Sequence, residues 1–222
     1  MHSQIEENYL KAIFNLSVEE EGKAVSTSAL ARELDVQAAS VTDMIKKLAV
    51  KGLIEYEKYQ GVMLTARGRT VAVDIVRKHR IWEVFLSEKL GFNWSEVHDI
   101  AEQLEHIQSE ELISRLDDFL GNPAFDPHGG PIPDKKGRLP DRNIVLLSSL
   151  PEKSETVVAG VKDDAKELLQ YLEQVGLLIG ARIRILERMA FDDSMVLESP
   201  SGKISISSKV ADNLMVRPPK AE

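Results

Sequence analysis

The segment 122–143, NPAFDPHGGPIPDKKGRLPDRN, holds five prolines and the pair Gly129–Gly130. No regular helix or central strand can run through it, because proline lacks an amide proton and locks its own φ. The chain must therefore build separate structure on either side. Ahead of this linker apolar residues recur at helical spacing. Behind it, over 144–217, the runs ETVVAGV, ARIRILERM, SMVLESP and KISISS read as short strands around one amphipathic helix, DDAKELLQYLEQVG. The expectation is a mainly α protein with a small β part, in which about 70 residues of short strands suit a small barrel.

The first stretch, IEENYLKAIFNL, spaces Ile5, Tyr9, Ile13 and Leu16 as one helical face. STSALARELDV opens on serines suited to an N-cap, and after a brief break AASVTDMIKKLAVKG buries Val41, Ile45 and Leu48 and ends at Gly52. Two short helices with so tight a turn predict a helix-turn-helix. LIEYEKYQGVMLT then alternates around Gln60–Gly61, which predicts a hairpin and, with the preceding helices, a winged helix. On the outer face of its third helix Gln37, Ser40, Thr42, Asp43, Lys46 and Lys47 are short or polar groups able to reach base edges and phosphates. A long helix from about Ala66 to Leu90 follows, then the helix HDIAEQLEH, then a third from near Ser109 to Gly121. Ile81, Trp82, Val84, Phe85, Leu86 and Trp94 exceed what one helix side buries, so part of this surplus is expected to form a subunit contact.

Charge supports a nucleic-acid partner. The net charge is −8, yet residues 41–80 alone stand at +5, counting Lys58 among the bases, and the rest at −13. Among 222 residues there is no cysteine, which excludes disulfides, thiolate zinc sites and cysteine nucleophiles; any metal must be held by oxygen and nitrogen. No run approaches the ~20 apolar residues that span a bilayer. The opening MHSQIEENYL is polar rather than signal-like, so a cytoplasmic protein is expected.

Within HDIAEQLEH, a continuous helix would set His98, Glu102, Glu105 and His106 inside an arc of roughly 100°, opposite Val97, Ile100, Ala101, Leu104 and Ile107. Upstream, His79 and Glu83 stand at the i, i+4 spacing that lets two side chains share a ligand. Two helices thus offer three imidazoles and three carboxylates. Such a face can also be merely wet.

Taken in order, these features resemble the diphtheria toxin repressor family of metal-dependent transcriptional regulators, over nearly the whole chain. The resemblance rests on ENYLKAIF, SVTDMIKKLAVKGLIEYEKYQGVMLTARG, RKHRIWEVFL, EVHDIAEQLEH, PHGGPIP and DD…LLQYLEQVGLLIGARI. It implies a winged helix-turn-helix over 1–65, a helical metal-binding and dimerisation domain over 66–121, the linker 122–143, and an SH3-like, FeoA-type barrel over 144–218. It further implies a primary metal site at Asn8, Glu102, Glu105 and His106. An ancillary site would use His79, Glu83 and His98, joined by Asp126, His128 and Asp163 or Asp164. Asn8 stands where manganese-type members carry an acid and iron-type members a methionine, and Glu102 where iron-type members carry cysteine. The donor set favours Mn²⁺ first and Fe²⁺ next.

The function expected is a homodimeric, metal-activated repressor of metal-uptake genes that binds double-stranded operator DNA, with no membrane, no small-molecule substrate and no catalytic residues. Without metal, Glu102 and Glu105 would repel each other and nothing would fix the first helix to the fifth. Two other functions compete. A winged-helix regulator could answer to an organic effector. A di-metal carboxylate enzyme would need Glu-x-x-His from two helices, and here His79 precedes Glu83.

Overall fold

A computed structural model describes residues 2–19, 22–57, 60–141, 143–163 and 165–218; Lys58 and Asp164 lie outside them. The described residues form two compact units, one of Met1–His79, Leu104–Ser109 and Pro133–Arg138, the other of Arg80–Gln103, Glu110–Ile132 and Leu139–Glu222.

The first unit opens with α1 (Gln4–Glu19), α2 (Thr27–Glu33) and α3 (Ala38–Val50), then the strands β1 (Ile54–Glu57) and β2 (Gly61–Leu64). Ser26 starts α2 by accepting a hydrogen bond from the Ala29 amide, the local interaction that favours serine at that position. The strands pair antiparallel from Ile54–Leu64 to Glu57–Gly61, and Val25 bridges Val62, completing the wing. Leu10, Ile13 and Phe14 of α1, Leu30 of α2, Val41, Ile45 and Leu48 of α3, Leu53, Ile54 and Val62 share one buried core. Helix α4 (Ala66–Leu90) gives its residues through His79 to this unit and the remainder to the other.

The start of α4 is fixed to the end of the reading helix. Thr65 donates its amide to the Leu53 carbonyl and its hydroxyl to the Gly52 carbonyl, while that same hydroxyl accepts the Gly68 amide.

The second unit contains α5 (Val97–Leu104) through Gln103, then α6 (Glu110–Phe119) and a six-stranded antiparallel sheet. In chain order the strands are β3 (Val145–Leu146), β4 (Glu155–Val161), β5 (Arg182–Arg188), β6 (Met195–Ser199), β7 (Gly202–Ile206) and β8 (Leu214–Val216); in space they run β3-β8-β4-β5-β6-β7. Helix α7 (Lys166–Val175) ends at Gly176 in the left-handed conformation, and α8 (Ser208–Ala211) is capped by Ser207. The core of this sheet takes in Trp94 from the segment after α4, together with Leu147, Leu169, Leu172, Ile185, Leu197 and Leu214. The sheet therefore does not hang from a loose tether.

Two expectations change. The helix carrying HDIAEQLEH stops at Leu104, where the Leu104 carbonyl accepts the Ile107 amide and closes a turn. The four polar side chains consequently do not share one helical face. The apolar surplus of 81–94 is also largely absorbed within the chain: Ile81, Trp82, Val84, Leu86 and Trp94 are buried, and Phe85 is half-buried against Trp82. Among the described residues no helix is long and apolar enough to cross a membrane.

Gly68 marks where the wing and α4 meet most closely, since a Cβ there would fall 1.9 Å from the Leu53 carbonyl oxygen. Gly68→Ala must push backbone against backbone, and we expect it to cost about 3 kcal/mol in urea unfolding; a neutral substitution would show that this junction is loose.

Candidate metal centre

The first unit gathers a polar cluster between α1 and the turn after α5. Glu7, Asn8 and Lys11 project from one face of α1, as the i, i+3 and i, i+4 spacing dictates. Glu105 is 1% exposed, so its carboxylate is denied hydration and must be met by positive charge or donors. It meets both. Lys11 Nζ lies 2.9 Å from each of its oxygens, and His79 Nδ1 lies 2.6 Å from Oε2. Beside it, His106 Nδ1 lies 2.6 Å from Glu7 Oε2, and Gln108 donates to Glu7 Oε1 at 3.0 Å. The Asn8 carbonyl oxygen is buried and accepts no hydrogen bond. A buried acceptor without a donor is costly, and amide oxygen, carboxylate and imidazole are the donor types that suit a hard or borderline divalent ion.

These contacts join α1 to the 105–108 turn. Glu102 belongs to the second unit, where it lies 3.5 Å from His98 Nε2. Glu7, Lys11 and Gln108 escaped the sequence analysis. The polar arc of the first helix carried the signal for Glu7 and Lys11, since both share the face of Asn8; Gln108 follows the helix end and had none.

A link runs on from α1 to the reading helix. Glu6 receives Lys51 Nζ at 2.6 and 2.8 Å, and Lys51 is the C-cap of α3. The lysine holds the Glu6 carboxyl below the usual range against the opposing effect of burial. Gln37, Ser40, Thr42, Asp43, Lys46 and Lys47 all lie exposed. Gln37 occupies the N-cap position of α3 without using its side chain there, Thr42 donates to the Ala38 carbonyl, and Lys46 approaches Asp43 at 3.7 Å.

A second cluster lies wholly within the other unit. Glu83, Asp126 and His128 are buried, and each offers a ligand atom within 4.8 Å of the others. His98 Nδ1 comes to 3.4 Å of Glu83 Oε1, as does His128 Nδ1. The loop holding the cluster is tightly built. Asp126 Oδ1 accepts the His128 and Gly130 amides, His128 Nε2 lies 2.8 Å from the Trp94 carbonyl, and Trp94 stacks on the His128 ring. Gly129 adopts φ +82° with the Ala159 carbonyl 2.1 Å from where a Cβ would stand, so the loop lies directly on β4. Asp163 stands apart and exposed, its Oδ1 accepting the Ala165 amide as a turn former.

Charge is balanced by a proton here. Burial raises the Asp126 carboxyl to about 6, helped by the Glu83 charge and opposed by Arg80, which lies 3.3 Å away. For His128 burial pulls downward, but hydrogen bonding and charge from Glu83, with Asp126 and the Trp94 carbonyl, outweigh it and hold the imidazolium up to about 9.

Comparison with known proteins matches most of the chain. Residues 1–62 match the N-terminal DNA-binding domain of iron-dependent repressors, residues 65–134 their metal-binding and dimerisation domain, and residues 145–218 the FeoA domain. The iron-dependent repressor IdeR of Mycobacterium leprae is 32% identical over 192 residues, covering 81% of this chain and 82% of that one. Among solved structures, a manganese-dependent transcriptional repressor in complex with manganese superposes with a TM-score of 0.84 at 35% identity, covering 96% of this chain and 99% of that one. ScaR with bound Zn²⁺ gives 0.79 at 35% identity, covering 96% and 98%.

The raised His128 predicts a pH effect of definite sign. Its folded value lies above the ordinary 6.5, so the stability it contributes is complete below pH 6.5 and is lost as pH climbs through about 9. An NMR titration of the metal-free protein should place the ring midpoint near 9, and Glu83→Gln should bring it down. A wild-type midpoint at or below 6.5 would contradict the charge balance drawn here.

Proposed function

The chain belongs to the iron-dependent, or diphtheria toxin, repressor family, and on that premise we propose that it is a homodimeric, metal-activated repressor of metal-uptake genes in the cytoplasm. That family is made of DNA-binding transcriptional repressors rather than enzymes. The observation that carries the proposal is the buried Asn8 carbonyl oxygen, which accepts no hydrogen bond and stands on the α1 face whose Lys11 reaches Glu105 and whose Glu7 reaches His106, in the same compact unit as the reading helix. Asn8, Glu105 and His106 are the ligands assigned to one site, with Glu7 as an added oxygen donor. Glu83, Asp126 and His128 are assigned to a second, with His98 against Glu83. Oxygen and nitrogen donors with no thiolate point to Mn²⁺ first and Fe²⁺ next. The domain division follows the same lines: reading head 1–65, metal-binding and dimerisation helices 66–121, linker 122–143 and SH3-like barrel 144–218.

A bound ion supplies concentrated positive charge and directional coordination at this cluster. The chain's own residues do the rest. Asn8 and Glu7 sit on α1, which shares its core with α3 and ties Glu6 to the α3 C-cap. The position of α1 is thereby passed to Gln37, Ser40, Thr42, Asp43, Lys46 and Lys47. In a two-fold dimer the two reading helices must meet successive major grooves ~34 Å apart, so small changes in the orientation of each head decide whether the operator fits. Large apolar side chains that remain exposed on the helical part of the second unit, Leu90, Phe92, Leu112 and Phe119, offer surface for a second copy.

Glu105→Ala and His106→Ala are expected to abolish Mn²⁺-stimulated binding to DNA from the protein's own upstream region; Glu105→Ala should also melt lower without metal, because Lys11 loses its buried partner. Lys46→Ala or Lys47→Ala should weaken binding at all metal concentrations and reduce the salt slope by about one contact. A mobility shift that is unchanged by chelator would favour a regulator answering to an organic effector.

A further inference from the structure

Lys11 belongs to the first cluster but not to the proposed ligand set. Its Nζ lies 2.9 Å from both oxygens of Glu105. The lysine side chain is 13% exposed and that of Glu105 0%, so the pair is shielded from the water and salt that weaken surface ion pairs. A cation held between the two oxygens of one carboxylate stands where a divalent ion sits on a bidentate carboxylate. It also joins the same two pieces of chain, α1 and the turn after α5, that the assigned ligands span.

We propose that Lys11 is an internal competitor for the metal: its ammonium group takes the place of a divalent cation on Glu105 and thereby sets the metal concentration at which the site fills. The proposal rests on the assignment of Asn8, Glu105 and His106 as ligands. A buried carboxylate left without a counter-charge is strongly destabilising, so the lysine lets the metal-free protein keep Glu105 in place. Ammonium and dication cannot share the same oxygens, and the flexible four-carbon stem allows the lysine to withdraw. Metal binding is then an exchange of cations, weaker than binding to an open carboxylate by the strength of the internal pair.

The test is Mn²⁺ binding to the full chain, read from loss of the electron paramagnetic resonance signal of free aqueous Mn²⁺. All proteins carry His128→Ala so that the second cluster does not obscure the titration. Lys11→Met keeps the aliphatic stem and removes the charge; it should bind Mn²⁺ about tenfold tighter, the order set by one charge-assisted hydrogen bond. Lys11→Gln should shift in the same direction if the methionine variant proves unstable, and Lys11→Arg, which retains the charge, should stay near the parent. Without metal the Lys11→Met protein should melt lower than the parent, and Mn²⁺ should raise its melting temperature by more. If His106→Ala abolishes binding but Lys11→Met and Lys11→Gln bind no tighter than the parent, the lysine is structural only and the ligand assignment stands. If no binding is sensitive to His106→Ala, the ligand assignment falls and the Lys11 proposal with it.

Discussion

Glu105 is a carboxylate with almost no access to water, and an ionised group in that position must be met by positive charge. The polar cluster of the first unit is arranged around this demand. Lys11 reaches it from α1 and His79 from α4, while next to it Glu7 and His106 form a second pair across the same gap. The cluster is a set of ion pairs in which the buried Asn8 carbonyl oxygen accepts no hydrogen bond. A ligand that binds here changes which groups are paired, and differential pairing is what allows a binding event to bias one conformation over another.

The same helix supplies a residue to each of two clusters. His79 faces Glu105 in the first unit, and Glu83, one turn later, sits with Asp126 and His128 in the second. The second cluster is braced by backbone as well as side chains: Trp94 enters the core of the sheet and stacks on His128, and the Val161 amide of β4 donates to the His128 carbonyl. The sheet is thus tied to a potential metal site by the residues that would orient its ligands, an arrangement in which outer contacts fix the ring and its tautomer.

Much of this was legible in the sequence, because the strongest local signals agree with the tertiary fold. The reading head announced itself through the Ser26 cap, the Val41, Ile45 and Leu48 stripe and the alternation into the wing, and the exposed face of α3 followed from the same periodicity. The metal face was less legible. A periodic extrapolation through HDIAEQLEH carried one helical face on to His106, but the helix ends at Leu104 and the next two residues meet Lys11 and Glu7 of α1. Periodicity reports a helix only while the helix lasts. Lys11 and Glu7 were hidden because a Lys or Glu on an amphipathic helix is ordinarily solvated, and only the long-range approach of the 105–108 turn gives them partners. The apolar surplus of 81–94 was visible, but its destination was not, since composition cannot tell an intrachain core from an interface.

The central claim is that an ion joins α1 to the turn after α5 through Asn8, Glu105 and His106. Anomalous scattering at the manganese edge from crystals grown in Mn²⁺ addresses it directly. The account predicts a peak at bonding distance from the Asn8 carbonyl oxygen, the Glu105 carboxylate and the His106 ring. It is contradicted by a manganese-saturated protein in which Lys11 still holds Glu105, Glu7 still holds His106, and every peak lies elsewhere.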